Sequence, residues 1–258
     1  MGGARAYRGI VAWSGKSENP VKQREVMAGG EVERFTLNER LQHAALMAST
    51  LVLLVTGFSL LFHDVWIGRW LLWLEGGVPG RGLIHRWAAA VLMGVCGYHL
   101  LYILFTERGH GQFMHMRPRR RDARDFWQVV RLNLGRPTER PAFDRFDYRQ
   151  KFQYYAFFVA SVTMVLSGLA LWFATEAMAV MPKWLFDLLA VLHGRESIVI
   201  FLLLFVWHLY DVHLRPEVFP MDWSWITGRI SITDLKERHP LEYERLRTAG
   251  AIDGDGSN

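Results

Sequence analysis

The sequence predicts an all-α membrane protein, a four-transmembrane-helix bundle built from a duplicated helical hairpin, with both termini cytoplasmic. Three observations predict it. Of 258 residues, 51% are hydrophobic and 14% aromatic, with 11 Trp, which is richer in apolar side chains than an ordinary soluble domain. The apolar residues are clumped into four stretches, about 41–62, 84–105, 152–173 and 188–213, and spanning a hydrocarbon core of about 30 Å takes roughly 20 such residues. Residues 34–62 also align without gaps on 145–173, with Arg34-Phe35 on Arg145-Phe146, Arg40 on Lys151, Gln42 on Gln153 and Thr56-Gly57 on Ser167-Gly168. The halves are therefore expected to be related by an axis along the membrane normal. One position differs in chemistry: His43 in the first copy is Tyr154 in the second.

In chain order, residues 1–33 read as a polar N-terminal arm, with Trp13 a candidate for the membrane interface. Residues 34–213 form the four-span domain, and 214–258 a charged C-terminal tail that carries Trp223 and Trp225 and ends in GDGSN. Between the second and third spans, 122–134 reads as a short amphipathic helix at the membrane surface.

Charge sets the orientation. Of the Lys and Arg, seven precede the first span, twelve lie between spans two and three, and six follow span four. The other two connections carry little beyond Arg69, Arg81 and Lys183. Both termini and the central loop are therefore expected in the cytoplasm, and the first span is expected to serve as the insertion signal. The net charge of +5 is accounted for by topology, so nucleic acid is not an expected partner. The single cysteine, Cys96, rules out an internal disulfide and a cysteine-ligated iron–sulfur cluster, and no C-x-x-C-H is present for covalent haem.

Of ten histidines, His63, His110, His115 and His239 fall in loops or the tail, whereas His43, His85, His99, His193, His208 and His213 lie within or at the ends of spans. An ionisable group in hydrocarbon is costly and normally faces the bundle interior with a partner. His85 and His99, fourteen residues apart, share one helix face at depths about 21 Å apart. His193 and His208, fifteen apart, do the same within about 60°. Two helices that each offer two inward imidazoles at two levels can clamp two haems b, and bis-His ligation leaves no open position for oxygen chemistry. His85 and His193 pair across the repeat at the outer level and are expected at the starts of their helices. At the inner level the repeat pairs His99 with His208, yet His43 reaches a similar depth. His213 is a further candidate, for a third haem or the border of a quinone pocket. Arg86 and Arg195 are candidate haem propionate partners, and Asp211 is a candidate to orient the His208 imidazole or shuttle a proton.

At these motifs the sequence resembles the cytochrome b (gamma) subunit of membrane-bound formate dehydrogenases and related b-type cytochromes, over about residues 34–247. The likeness rests on R-F-x3-E-R-x2-H (Arg34 to His43), the I-H and L-H that carry His85 and His193, H-L-Y at His208, and H-P-x2-Y at His239, Pro240 and Tyr243. The segments around His99 and His208 look closer to b-type cytochromes that work with multihaem c-type partners. The resemblance implies an outer haem between His85 and His193 and an inner haem between His43 and His208, in disagreement with the repeat over His43 and His99. It also implies a quinone or quinol as diffusible substrate near the inner haem, for which Asn38, Arg40, Asp211 and His213 are candidates. The implied partners are periplasmic oxidoreductase subunits or c-type cytochromes in a hetero-oligomer of the bacterial cytoplasmic (inner) membrane. The expected role is electron transfer without a substrate-specific catalytic centre of its own. The rivals are a stand-alone reductase of the cytochrome b561 type and, from another class, a histidine-based metal transporter.

Overall fold

The computed structural model describes Val26–Met27 and residues 30–252; Trp13 and the GDGSN end lie outside the described residues. The elements run β1 (Val26–Met27), β2 (Glu31–Glu33), α1 (Leu37–Leu61), α2 (Trp66–Leu74), α3 (Gly77–Phe105), α4 (Glu107–Met116), α5 (Arg120–Asn133), α6 (Tyr148–Trp172), α7 (Ala174–Val180) and α8 (Lys183–Leu202). The last continues in π-helical turns at Leu203–His208 and Tyr210–Leu214, followed by α9 (Ser224–Thr227), β3 (Arg229–Ser231), α10 (Ile232–Arg238) and α11 (Pro240–Thr248).

Four helices, α1, α3, α6 and the continuous Lys183–Leu214, are long and apolar enough to cross a membrane. Their outer surfaces carry exposed Leu104, Val159, Val199 and Phe205, whereas small polar Thr56, Ser59, Ser167 and Ser197 are buried between them. This reversal of the soluble pattern fits helices whose solvent is lipid and whose contacts use small side chains. α1 packs along α3 and α6 along α8, and the two hairpins meet where α1 meets α8.

The helices begin several residues before the hydropathy rises, because caps set their starts. Thr36 accepts from the Glu39 amide while Glu39 accepts from the Thr36 amide. In the second copy Asp147 and Gln150 make the same reciprocal box. On the other side, α3 starts at Gly77 and α8 at Lys183. His85 and His193 are therefore not at helix starts, as the sequence suggests, but two to three turns inside.

The fourth span leaves α geometry where the repeat has one residue too many. Fifteen residues separate His193 from His208, against fourteen for His85 and His99. The wider π turns wind each residue through roughly 85° instead of 100°, which brings His193 and His208 to within about 30° of a common face.

The segments outside the spans are folded too, a departure from the all-α reading. β1, β2 and β3 form an antiparallel sheet, with Val32 opposite Ile230. α10 and α11 close over it, burying Val32, Ile230, Leu235, Tyr243, Leu246 and Ile252 together. This cap joins the arm to the charged segment after the fourth span, which the sequence alone reads as a tail. The expected surface helix is α5, tied to α6 by Lys151 Nζ on Asp122 at 2.8 Å.

The cap is fastened to the bundle on its pseudo-symmetry axis. Arg34 and Arg145, equivalent in the repeat, each donate to the other's carbonyl oxygen. Both also reach Glu242 of α11, Arg145 at 2.7 Å and Arg34 at 3.5 Å, with all three side chains buried. Burial lowers the Arg34 guanidinium to about 10 against the pull of Glu242. Next to them, His239 Nδ1–H donates to the Asp144 carbonyl at 2.8 Å. Its Nε2 is buried without a partner among the described residues. Burial, then Arg34, drive its pKa from 6.5 down to about 3, so the ring is neutral.

Glu242→Gln should destabilise the cap by about 3–5 kcal/mol, because two buried guanidiniums lose their shared carboxylate; thermal unfolding of the full chain in detergent measures it. Below pH 6.5 the unfolded chain takes up a proton at His239 that the folded chain refuses. Stability is therefore expected to fall as pH drops from 6.5 towards 3, by up to about 1.4 kcal/mol per pH unit from this residue. His239→Gln should show a flatter loss of melting temperature with acidification than the unsubstituted chain.

Candidate functional site

Half-buried imidazoles in the bundle stand in facing pairs at two levels. At the level of α2 and α7, His85 of α3 and His193 of α8 have ring centroids 6.2 Å apart. At the level of the cap, His43 of α1 and His208 of the π-helical turn have centroids 6.4 Å apart. Two metal–imidazole bonds of about 2 Å, with each ring centre just over 1 Å behind its nitrogen, place facing centroids roughly 6.3 Å apart. Both pairs are therefore spaced to hold one six-coordinate iron between them.

The hydrogen bonds fix which nitrogen is available. Thr56 Oγ1 donates to the Val52 carbonyl at 2.7 Å, so its contact with His85 Nδ1, also 2.7 Å, has the ring N–H as donor. Ser167, the repeat equivalent of Thr56, donates to the Thr163 carbonyl and accepts from His193 Nδ1–H at 2.9 Å. At the other level Gln153 Nε2 donates to Asp211 at 2.6 Å, which turns its Oε1 towards His208 Nδ1–H at 3.1 Å. In all three rings Nδ1 carries the proton and Nε2 keeps a lone pair, the state a metal-binding imidazole needs. His43 Nδ1 is buried with no partner among the described residues, and its ring packs on Trp225 at 5.6 Å.

His99 does not face a histidine. Its Nδ1 donates to Gln42 Oε1 at 2.8 Å and its Nε2 accepts from the Tyr154 hydroxyl at 3.3 Å. His213 makes no ring contact or hydrogen bond with another histidine among the described residues. Asp211 acts on His208 through Gln153 and also accepts from Trp207 Nε1 at 3.0 Å. Asn38 accepts from Gln42 and donates to the Tyr98 hydroxyl. Arg40 donates to the Ile226 carbonyl, which holds the α9 turn and its Trp225 over His43. That turn ends at Gly228 with φ of 78°, where a Cβ would lie 2.4 Å from the Phe35 carbonyl oxygen. Arg86 stacks on Trp172 at 5.6 Å, and Arg195 is exposed, with no hydrogen bond or ion pair among the described residues.

Sequence reasoning missed Arg81, which it counts only as a loop charge. Arg81 Nε donates to the Thr56 carbonyl at 2.7 Å, beside the hydroxyl that holds His85. The roles of Thr56, Ser167, Gln42 and Gln153 had a signal in their persistence through the repeat. Among the described residues no group of three or more His, Cys, Asp or Glu converges as a metal-ion site. Imidazole pairs across helices, one pair towards each end of the spans, would suit a flat macrocycle held by a histidine on each side.

A bundle of four apolar helices with two such levels defines a membrane b-type cytochrome. The sequence profile of the prokaryotic cytochrome b561 family matches residues 34–218, and the chain belongs to that family. The family binds haem b, typically two, and places the chain among multi-pass membrane proteins of electron transfer. No curated protein matches the chain.

Proposed function

We propose that the chain carries electrons across the bacterial cytoplasmic membrane between a quinone pool and an extracytoplasmic redox partner. His85 and His193 hold one haem b, and His43 and His208 the other. The observation that carries this reading is the matched spacing of the two imidazole pairs, 6.2 and 6.4 Å, on levels about 20 Å apart along the helices. When bound, each haem supplies a one-electron centre that cycles between ferric and ferrous iron inside the low-dielectric bundle.

The chain's own residues hold and aim the ligands. Thr56, Ser167 and Gln153 fix the ring tautomers, and Asp211 fixes Gln153. His99 has both nitrogens engaged and is left out of the ligand set, which favours two haems over three. The excess of Lys and Arg in residues 106–151 and towards both ends supports a cytoplasmic side at the cap, with α2 and α7 outside. The likeness to formate dehydrogenase gamma subunits supports a membrane subunit that works with a partner complex rather than a stand-alone reductase; co-purification of redox partners separates the two. Histidines set in pairs, with no convergent third ligand among the described residues, speak against a metal transporter.

Purified chain should contain two haems b by pyridine haemochrome assay. His85→Ala should leave one and His43→Ala should leave the other, with different midpoint potentials; unchanged haem content in both variants would overturn the assignment. Thr56→Val and Ser167→Ala each strand a buried ring N–H, and should weaken retention of the outer haem by about 10–100-fold, read as haem lost on dilution into a haem-scavenging apoprotein.

A further inference from the structure

The pseudo-two-fold axis relates two seams of the bundle, α1 against α8 and α6 against α3. At the first seam His43 faces His208, whose Nδ1–H is held by Gln153. At the second, in the equivalent positions, Tyr154 faces His99, whose Nδ1–H is held by Gln42. The second copy has kept the imidazole and its glutamine and exchanged the other imidazole for a phenol. α1 also packs more closely on α8 than α6 does on α3. Tyr154 bridges them with a hydrogen bond of 3.3 Å to His99 Nε2, at the long end of the range. An iron between these atoms would part them by about 4 Å, so the contact is direct.

What remains at this seam is a hydrogen-bond donor opposite a lone pair, between two lipid-facing helices and beside exposed Tyr98 and Phe158. Gln42 and His43 are consecutive, as are Gln153 and Tyr154. The His99–Tyr154 pair therefore lies side by side with the His43–His208 pair at one depth.

We propose that His99 and Tyr154 are the head-group site for a quinone, with His99 Nε2 as the base that accepts the quinol proton. This rests on the reading that the chain exchanges electrons with quinone. A quinol ring entering between α3 and α6 replaces the Tyr154–His99 bond with two of its own: its hydroxyl donates to His99 Nε2, and Tyr154 O–H donates to a ring oxygen. As the quinol O–H bond at His99 breaks, its proton would form N–H at Nε2, and one electron would pass to the bound haem, the oxidant that the proposed reading supplies. Loss of the second electron to the same oxidant, and of the second proton to water from the oxygen across the ring, would complete the conversion of quinol to quinone. Quinone reduction is the reverse. Gln42, held by Asn38, keeps the second imidazole proton on Nδ1 throughout.

The test uses the haem-loaded full chain in detergent and duroquinol as reductant, with dithionite reduction and haem stoichiometry as controls. His99→Gln and Tyr154→Phe should keep two haems per chain and full reduction by dithionite. His99→Gln should slow duroquinol-driven reduction at least about a hundredfold and abolish its rise with pH, and Tyr154→Phe should raise the apparent KM with a smaller change in maximal rate. Normal duroquinol kinetics in both variants, or loss of a haem in His99→Gln, would overturn this inference alone. Failure of duroquinol to reduce the unsubstituted chain would overturn the quinone reading itself, and this inference with it.

Discussion

An imidazole sunk in hydrocarbon has two nitrogens to satisfy and no water to satisfy them, and much of this bundle is organised by that constraint. Thr56 and Ser167 meet it because a hydroxyl in a helix can donate to the carbonyl one turn back and has then only acceptor capacity left. The ring that reaches such a hydroxyl must present N–H to it and a lone pair on the opposite side. The site is thus specified one residue behind the ligand, on the neighbouring helix of the same hairpin. Each hairpin carries its own holder and its own histidine, and the facing pairs arise when the two hairpins meet.

Duplication explains the resemblance of the halves, and small departures from it explain their division of labour. The capping boxes at Thr36 and Asp147, the glutamines at 42 and 153 and the hydroxyls at 56 and 167 keep the copies congruent. At Tyr154 a phenol replaces the imidazole and bonds His99 directly, and the extra residue of the fourth span is absorbed by π winding without moving His208 off its face. Symmetry supplies the scaffold, and each break in it marks a place where the copies do different things.

The four spans, the repeat and the histidines in hydrocarbon were legible because hydropathy, self-similarity and ionisable residues leave direct marks on a membrane sequence. Helix starts were misjudged because all four helices begin before the apolar run, and with α3 starting at Gly77 and α8 at Lys183 the sequence placed His85 and His193 too near the helix ends. The choice between His43 and His99 could not be read from spacing, because both sit at the right depth. It turns on which ring nitrogen Gln42 and Tyr154 occupy, which is a matter of side-chain direction. The cap was not legible because its strands are two or three residues long and pair across almost the whole chain, Val32 with Ile230, leaving no periodic signal in either segment. Of the H-P-x2-Y motif, the fold makes His239 a buried neutral donor, Pro240 the first residue of α11 and Tyr243 part of the cap core.

Glu242, which binds the two symmetry-related arginines, lies beyond the stretch shared with the family. Chains are synthesised N-terminus first, so both hairpins are made before the carboxylate that joins Arg34 to Arg145. Residues 229–248, which supply Glu242 and β3, the partner of β2, come last. The join between the two halves is thus the last part of the fold to be made.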